Sequence, residues 1–242
     1  MPPTRRQLLG ALCAGGLAPW AALAQADAMM RWPATGQWHY GVSGRVRGVP
    51  YRASARLHWQ HDQTQYQAEL SMSMWLLGER RQRSTGRIGP GGLQPVHFVD
   101  AARRTRELHM DWSARRFQAP PHSDLMPLPD GAQDRLSLFF QLGGLLSRAT
   151  APPTPGQTWT LPVLGRAGSE EWTFAAMGTD TLDLPVGQIR AWKLERPRRA
   201  AHDLHAELWL APAWQHLPVR IRLSEANGDV VDQQLEQSLP VS

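Results

Sequence analysis

The segment YRASARLHWQHDQTQYQAELSMSM, residues 51–74, decides the fold. In its first ten residues Tyr51, Ala53, Ala55, Leu57 and Trp59 point one way, while Arg52, Ser54, Arg56 and His58 point the other. After the polar stretch 61–65, Tyr66, Ala68, Leu70, Met72 and Met74 resume the same alternation. Side chains on a strand repeat with period two, so the pattern predicts a β-hairpin with one apolar face and one wet face.

The same period recurs in EWTFAAMG (171–178), IRAWKLERP (189–197), HAELWLAP (205–212), VRIRLSE (219–225) and DVVDQQLEQ (229–237). Pro185-Val186-Gly187, Pro212 and Asn227-Gly228-Asp229 separate several of these runs with turn chemistry, so the C-terminal third reads as an antiparallel meander. One segment breaks the period. In DGAQDRLSLFFQLGGLLSRA (130–149), Leu136, Phe139, Phe140, Gly143 and Leu146 fall at helical spacing. The spacing predicts a helix from Ala132 to Leu142, capped by Asp130 or Asp134 and kinked or continued at Gly143 and Gly144. Each of those glycines costs about 1 kcal/mol relative to alanine in a helix interior. The expected fold class is therefore mainly β. It is a single curved antiparallel sheet, a half-open β-barrel, with one helix packed on its concave face, in one domain spanning residues 27–242.

The first 26 residues have the layout of a cleaved secretory leader: Arg5 and Arg6, then a Gly- and Ala-rich apolar core, then small residues before cleavage after Ala24 or Ala26. Arg5-Arg6 fits a twin-arginine leader as well as an ordinary secretory one, and the apolar run is too short for a membrane anchor. A periplasmic location is expected. Cys13, the only cysteine, lies inside the leader behind Leu12, so the remaining chain has no thiol for disulfides, nucleophiles or metal binding. Loss of the leader lowers the formal charge from +5 to +3, because it carries two arginines and no acid. That modest charge on an exported chain gives no reason to expect a nucleic-acid partner.

A search for chemistry assigns no catalytic residue, no metal ligand and no cofactor. Gly41-Val42-Ser43-Gly44 lacks the spacing of a nucleophile elbow. The pairs His58/His61 and His202/His205 would share a face only on a helix, yet they fall in predicted strand or turn. Glu170-Glu171 and Asp180/Asp183 read as solvated carboxylates, and GRIGPGGLQP (86–95) reads as a tight strand connection without a phosphate-binding lysine. The arginine pairs 80–81, 103–104, 115–116 and 198–199 read as exposed hairpin ends.

The eleven tryptophans are the remaining signal, of which only Trp20 belongs to the leader. Large aromatics alternating with small residues either fill a core or line a cavity for an apolar ligand. The pocket candidates are Trp59, Met72, Met74, Leu136, Phe139, Phe140, Leu146, Trp192, Trp209 and Trp214, with Leu138 to Phe140, Leu145 and Leu146 as a helical lid. In WLAPAWQHLPVRIRL (209–223), Trp209 is expected to support the barrel wall and Trp214 to cover its end.

Several short motifs occur in order. Ser84-Thr85-Gly86-Arg87-Ile88 precedes Gly92-Leu93-Gln94-Pro95, followed by Asp111-Trp112 and by Gly131-Ala132-Gln133-Asp134-Arg135-Leu136-Ser137. Leu184-Pro185-Val186-Gly187 comes next, then Trp209-Leu210-Ala211-Pro212 with Leu217-Pro218-Val219-Arg220-Ile221. In order and spacing the chain, from about Trp38 to Leu235, resembles the exported domain-of-unknown-function family 3108 of Gram-negative bacteria. The resemblance implies a layout similar to periplasmic lipoprotein-carrier half-barrels and brings no reaction with it. The expected function is a non-enzymatic binding or carrier module for an apolar or amphipathic envelope ligand such as a lipid. The alternative is an envelope-assembly scaffold that binds another protein.

Overall fold

The computed structural model describes residues 29–74, 78–121, 124–149, 151–198, 200–201 and 203–240. The expected leader with Cys13 lies outside the described residues, as do Trp75, Arg199 and His202. The first eight strands are β1 (Gly36–Val46), β2 (Val49–His61), β3 (Gln65–Met74), β4 (Gly78–Gly89), β5 (Gly92–Ala101), β6 (Thr105–Asp111), β7 (Arg116–Gln118) and β8 (Met126–Pro127). Helix α1 (Ser137–Arg148) follows. Then come β9 (Thr158–Gly165), β10 (Gly168–Leu184), β11 (Gly187–Arg196), β12 (His205–Ala211), a 3-10 turn over Pro212–Trp214, β13 (Leu217–Ser224) and β14 (Val230–Pro240).

All fourteen strands belong to one antiparallel sheet in the order β8-β7-β6-β5-β4-β3-β2-β1-β14-β13-β12-β11-β10-β9. Two meanders run outward from the centre, and the first and last strands pair there, from Gly36 opposite Pro240 to Arg45 opposite Val230. The sheet does not close. Pairing dwindles through β7, three residues long, to β8 with two, which leaves β9 no partner of matching length. Instead the chain crosses the gap. Gln133 forms a parallel bridge with Val163, its N–H donating to the Pro162 carbonyl at 2.8 Å and its carbonyl accepting from Leu164 at 2.8 Å. This covers part of an otherwise open edge.

The β2–β3 hairpin is registered as its alternation predicts. Trp59 lies opposite Ala68, Leu57 opposite Leu70 and Ala55 opposite Met72. Ala55, Leu57, Trp59, Tyr66, Ala68 and Leu70 are all buried, and Trp59 is 0% exposed. The Trp59 ring stacks on Phe140 of α1 with centroids 4.0 Å apart and on Tyr66 at 5.5 Å, while its indole N–H donates to the Pro33 carbonyl at 3.0 Å. Each such aromatic pair contributes about 0.5–1.5 kcal/mol beyond the area it buries.

The helix begins at Ser137, later than the predicted Ala132, because Gln133 is committed to the β9 edge. It then runs unbroken through both glycines to Arg148, past the predicted Leu142. Nine of its twelve residues are buried, so it is a plug with apolar contacts on both flanks. Leu136 and Phe140 join the cluster formed with Trp59 and Tyr40. Leu138, Phe139, Leu142 and Leu146 join Phe174, Leu194, Leu208 and Ile221.

The glycines allow this close fit. A Cβ on Gly143 would stand 2.8 Å from the His216 carbonyl oxygen, and one on Gly144 would stand 2.5 Å from the Trp32 ring. Helix propensity alone predicts that Gly143→Ala stabilises by about 1 kcal/mol. Crowding of a backbone carbonyl that cannot swing aside predicts the reverse, a loss of about 1–3 kcal/mol. Urea unfolding of Gly143→Ala and Gly144→Ala is expected to show the loss in both.

Candidate functional site

The helix is held in the sheet by a buried polar latch. Asp134 is fully buried one turn before α1, and its Oδ1 accepts the backbone N–H groups of Leu136 at 2.8 Å and Ser137 at 2.9 Å. These are donors that the first turn of a helix leaves unsatisfied. Its Oδ2 accepts the Ser84 hydroxyl at 2.5 Å, and the Ser84 oxygen lies 2.9 Å from the Tyr66 hydroxyl. Of the two predicted caps, Asp134 is the one that serves; Asp130 pairs with Arg115 on the surface.

Two glutamines complete the attachment to β5. Gln141 accepts from the Leu93 N–H at 2.8 Å and donates to the Gly91 carbonyl at 3.0 Å. Gln133 donates to the Leu93 carbonyl at 2.9 Å. Gly92 has φ +104, and a Cβ there would sit 2.3 Å from the Gln141 amide, so both its conformation and its space require glycine.

With the helix so placed, the concave face is filled. The space left among Tyr40, Leu57, Leu136, Phe139 and Phe140 is about 10 Å³, at most the room of one water molecule. Among the described residues, the concavity with the most apolar wall lies at the C-terminal end of α1. There a groove of about 540 Å³ runs between the helix end, the proline-rich segment after it, β10, β11 and the 3-10 turn. Leu146, Ala149, Ala151, Pro152, Pro153, Trp192, Pro212 and Ala213 form its apolar wall. Thr179, Arg190 and His216 add polar groups. Thr179 and Trp192 are direct cross-strand partners, as are Thr181 and Arg190, so the sheet register sets this wall.

His216 has φ +59 and lies directly against Gly143. Burial lowers its pKa to about 4, which leaves the ring neutral at physiological pH, and its buried Nδ1 has no hydrogen-bond partner among the described residues. Among the described residues Arg190 is exposed and has no carboxylate partner.

The predicted pocket residues separate into four groups. Trp59, Leu136, Phe139 and Phe140 are core, and Met72 packs against it. Leu146 and Trp192 line the groove. Trp214 packs on the first cluster from the 3-10 turn. Trp209 lies between Lys193, 5.1 Å from its ring, and Arg220, 4.7 Å away, while its indole N–H donates to Asp180 at 2.7 Å. The Met74 side chain is outside the described residues.

Three of the four discounted carboxylates are engaged, Glu170 with Arg196 at 2.8 Å, Asp180 with the Trp209 indole and Asp183 with Gln188 at 3.2 Å, while Glu171 is exposed. His58 and His61, three residues apart on β2, leave the strand on opposite faces, and the His202/His205 pair cannot be placed because His202 is not described. Arg80 is not a loose hairpin end, since it makes a two-pronged pair with Asp100 at 2.7 and 2.8 Å. Sequence reasoning passed over Arg190, and it passed over His97, Glu107 and His109, which only strand register brings together.

A family model described as "Protein of unknown function (DUF3108)" matches residues 38–235. The chain belongs to the DUF3108 family. The DUF3108 match runs from β1 to β14, so it includes every strand and the helix. The motifs that carried the resemblance fall largely on the latch: Ser84 and Gly86 on β4, Gly92-Leu93 on β5, and Gln133, Asp134 and Ser137 before and at the start of α1.

No curated protein sequence matches this DUF3108 chain. The chain is similar in fold to a β-barrel-like protein of the DUF1849 family from Brucella abortus, with a TM-score of 0.56 and 8% identity over 88% of this chain and all of that one. A Bacteroides fragilis protein with a YMCC-like fold is 12% identical over 88% of this chain and all of that one. Its TM-score of 0.36 adds nothing to the fold assignment.

Burial raises the pKa of Asp134 above the ordinary carboxylate value of 3.8, by more than its hydrogen bonds lower it. The folded state therefore binds this proton more readily than the unfolded chain. The associated stability is complete below the unfolded value and is lost as pH rises through the folded one. Urea unfolding between pH 7 and pH 4 is expected to show wild type gaining on Asp134→Asn as the pH falls.

Proposed function

We propose that this protein is an exported, non-enzymatic binding module that holds a single-chain amphiphile with an anionic head, such as a fatty acid, in the groove at the end of α1. The observation that carries this reading is the union of an apolar wall with Arg190, which has no carboxylate partner among the described residues, in a concavity of about 540 Å³. Small-molecule sites commonly measure about 300–1,000 Å³ and combine apolar walls with a few placed polar groups. Trp192, Leu146 and the prolines suit an acyl chain, and Arg190 suits a carboxylate or phosphate.

The reading moves the ligand from the interior, where the helical lid was expected to cover it, to the rim. It also fits the expected leader and periplasmic location. No helix among the described residues is long and apolar enough to cross a membrane.

Titration with a dansyl-labelled C12 fatty acid, with energy transfer from tryptophan as the signal, tests the site. Saturable one-to-one binding is expected. Arg190→Ala should weaken it by about tenfold or more, the worth of one charge-assisted hydrogen bond. Trp192→Ala should likewise weaken binding, with the remaining tryptophans still reporting it, and an uncharged C12 alcohol should bind more weakly without sensing Arg190. Binding that is unchanged in both variants, or undetectable at about 1 mM ligand, a free energy near −4 kcal/mol, refutes the groove as the site.

A further inference from the structure

A second constellation, sharing no residue with the groove, lies on the β5–β6 hairpin. His97 and His109 are direct partners in the antiparallel register, and Glu107, two residues before His109, projects from the same face of β6. The two imidazoles stack at 15° with centroids 4.5 Å apart. Each Nε2 lies 3.3 Å from the same oxygen, Oε2 of Glu107, and one ligand atom from each of the three residues falls within 4.8 Å of the others.

These distances match a coordination polyhedron. Zinc binds imidazole nitrogen at about 2.0–2.1 Å and carboxylate oxygen at about 2.0–2.2 Å, which puts neighbouring vertices of its tetrahedron about 3.3 Å apart. Two of the three edges therefore already have the length that a bound ion would impose. We propose that His97, Glu107 and His109 form a binding site for one zinc ion.

The donor set favours zinc over the hard cations. Two imidazoles and one carboxylate suit zinc and its neighbours, whereas calcium takes six to eight oxygens and magnesium keeps most of its water. The ligands are also preorganised from behind. Phe98, Leu108 and Met110, which alternate with them along the same strands, are buried on the opposite face and hold both backbones against the core. Coordination asks each imidazole to carry its proton on Nδ1, and the two rings to turn out of their near-parallel stack so that both Nε2 lone pairs meet at one point. The three side chains are 40%, 39% and 50% exposed, so the fourth position opens to water.

The test is calorimetric titration of zinc chloride into the protein purified without a polyhistidine tag. One-to-one binding with a Kd on the order of 1 µM or tighter, about −8 kcal/mol, is expected. His97→Gln and His109→Gln should each weaken it by about 100-fold, the upper end of what loss of a mere supporting residue costs at metal sites. His58→Gln, a solvated histidine on β2, should leave it unchanged. Because all three ligands are surface residues, circular dichroism should show every variant folded. Absence of binding at about 100 µM zinc, near −5 kcal/mol, or full retention of binding in the His97→Gln/His109→Gln double variant, overturns the proposal.

Discussion

The architecture depends on one buried carboxyl group. Asp134 satisfies the first N–H groups of α1 and at the same time accepts the hydroxyl of Ser84 from the far side of the core. An unpaired polar group in that position would cost roughly 1–3 kcal/mol, so the helix can enter the sheet only in the one place where each group finds its partner. Gln133 and Gln141 extend the same logic to β5, where an apolar contact alone would leave the helix free to slide. Apolar burial drives the plug inward, and the latch decides where it stops.

The stopping point determines where chemistry can happen. With Phe140 stacked on Trp59 and the glycine pair tight against His216 and Trp32, the space between helix and sheet at Tyr40, Leu57 and Phe140 shrinks, among the described residues, to about 10 Å³. A half-barrel with a retracted helix would hold its cargo inside. This one has an apolar groove where the helix ends, beside the proline-rich segment that follows Ala149. The outer face is occupied differently. Trp209, part of the buried apolar cluster, is also covered by Lys193 and Arg220, which are anchored in turn by Glu207 at 2.8 Å and Asp232 at 2.6 Å, so charge completes the shielding that the core begins.

What could be read from the sequence follows the range of each interaction. The β2–β3 hairpin, the C-terminal meander and the Gln133–Asp134 stretch leave their mark within a few residues, as alternation, turn chemistry or a cap. Gly143 and Gly144 were visible as helix weaknesses, but their use depends on His216 and Trp32, far away in the chain. The helix start was misplaced because Gln133 belongs to the β9 edge, a pairing that no local pattern records. Alternation places several of the tryptophans on the inner face without saying whether anything remains for them to enclose. His97 and His109 were invisible for a related reason: twelve positions apart, they become neighbours only when the hairpin register is known.

The central pairing of β1 with β14 carries a consequence for how the molecule comes into being. Every other neighbouring pair in the sheet joins strands consecutive in the chain, so each half could zip up locally. The seam between the halves joins residues near 40 to residues near 235 and closes the longest loop in the molecule. Loop closure of that span is slow, and it must await the last strand, however early the first was made. Until then β1 presents one unpaired edge to its surroundings, the kind of surface on which partly folded chains aggregate.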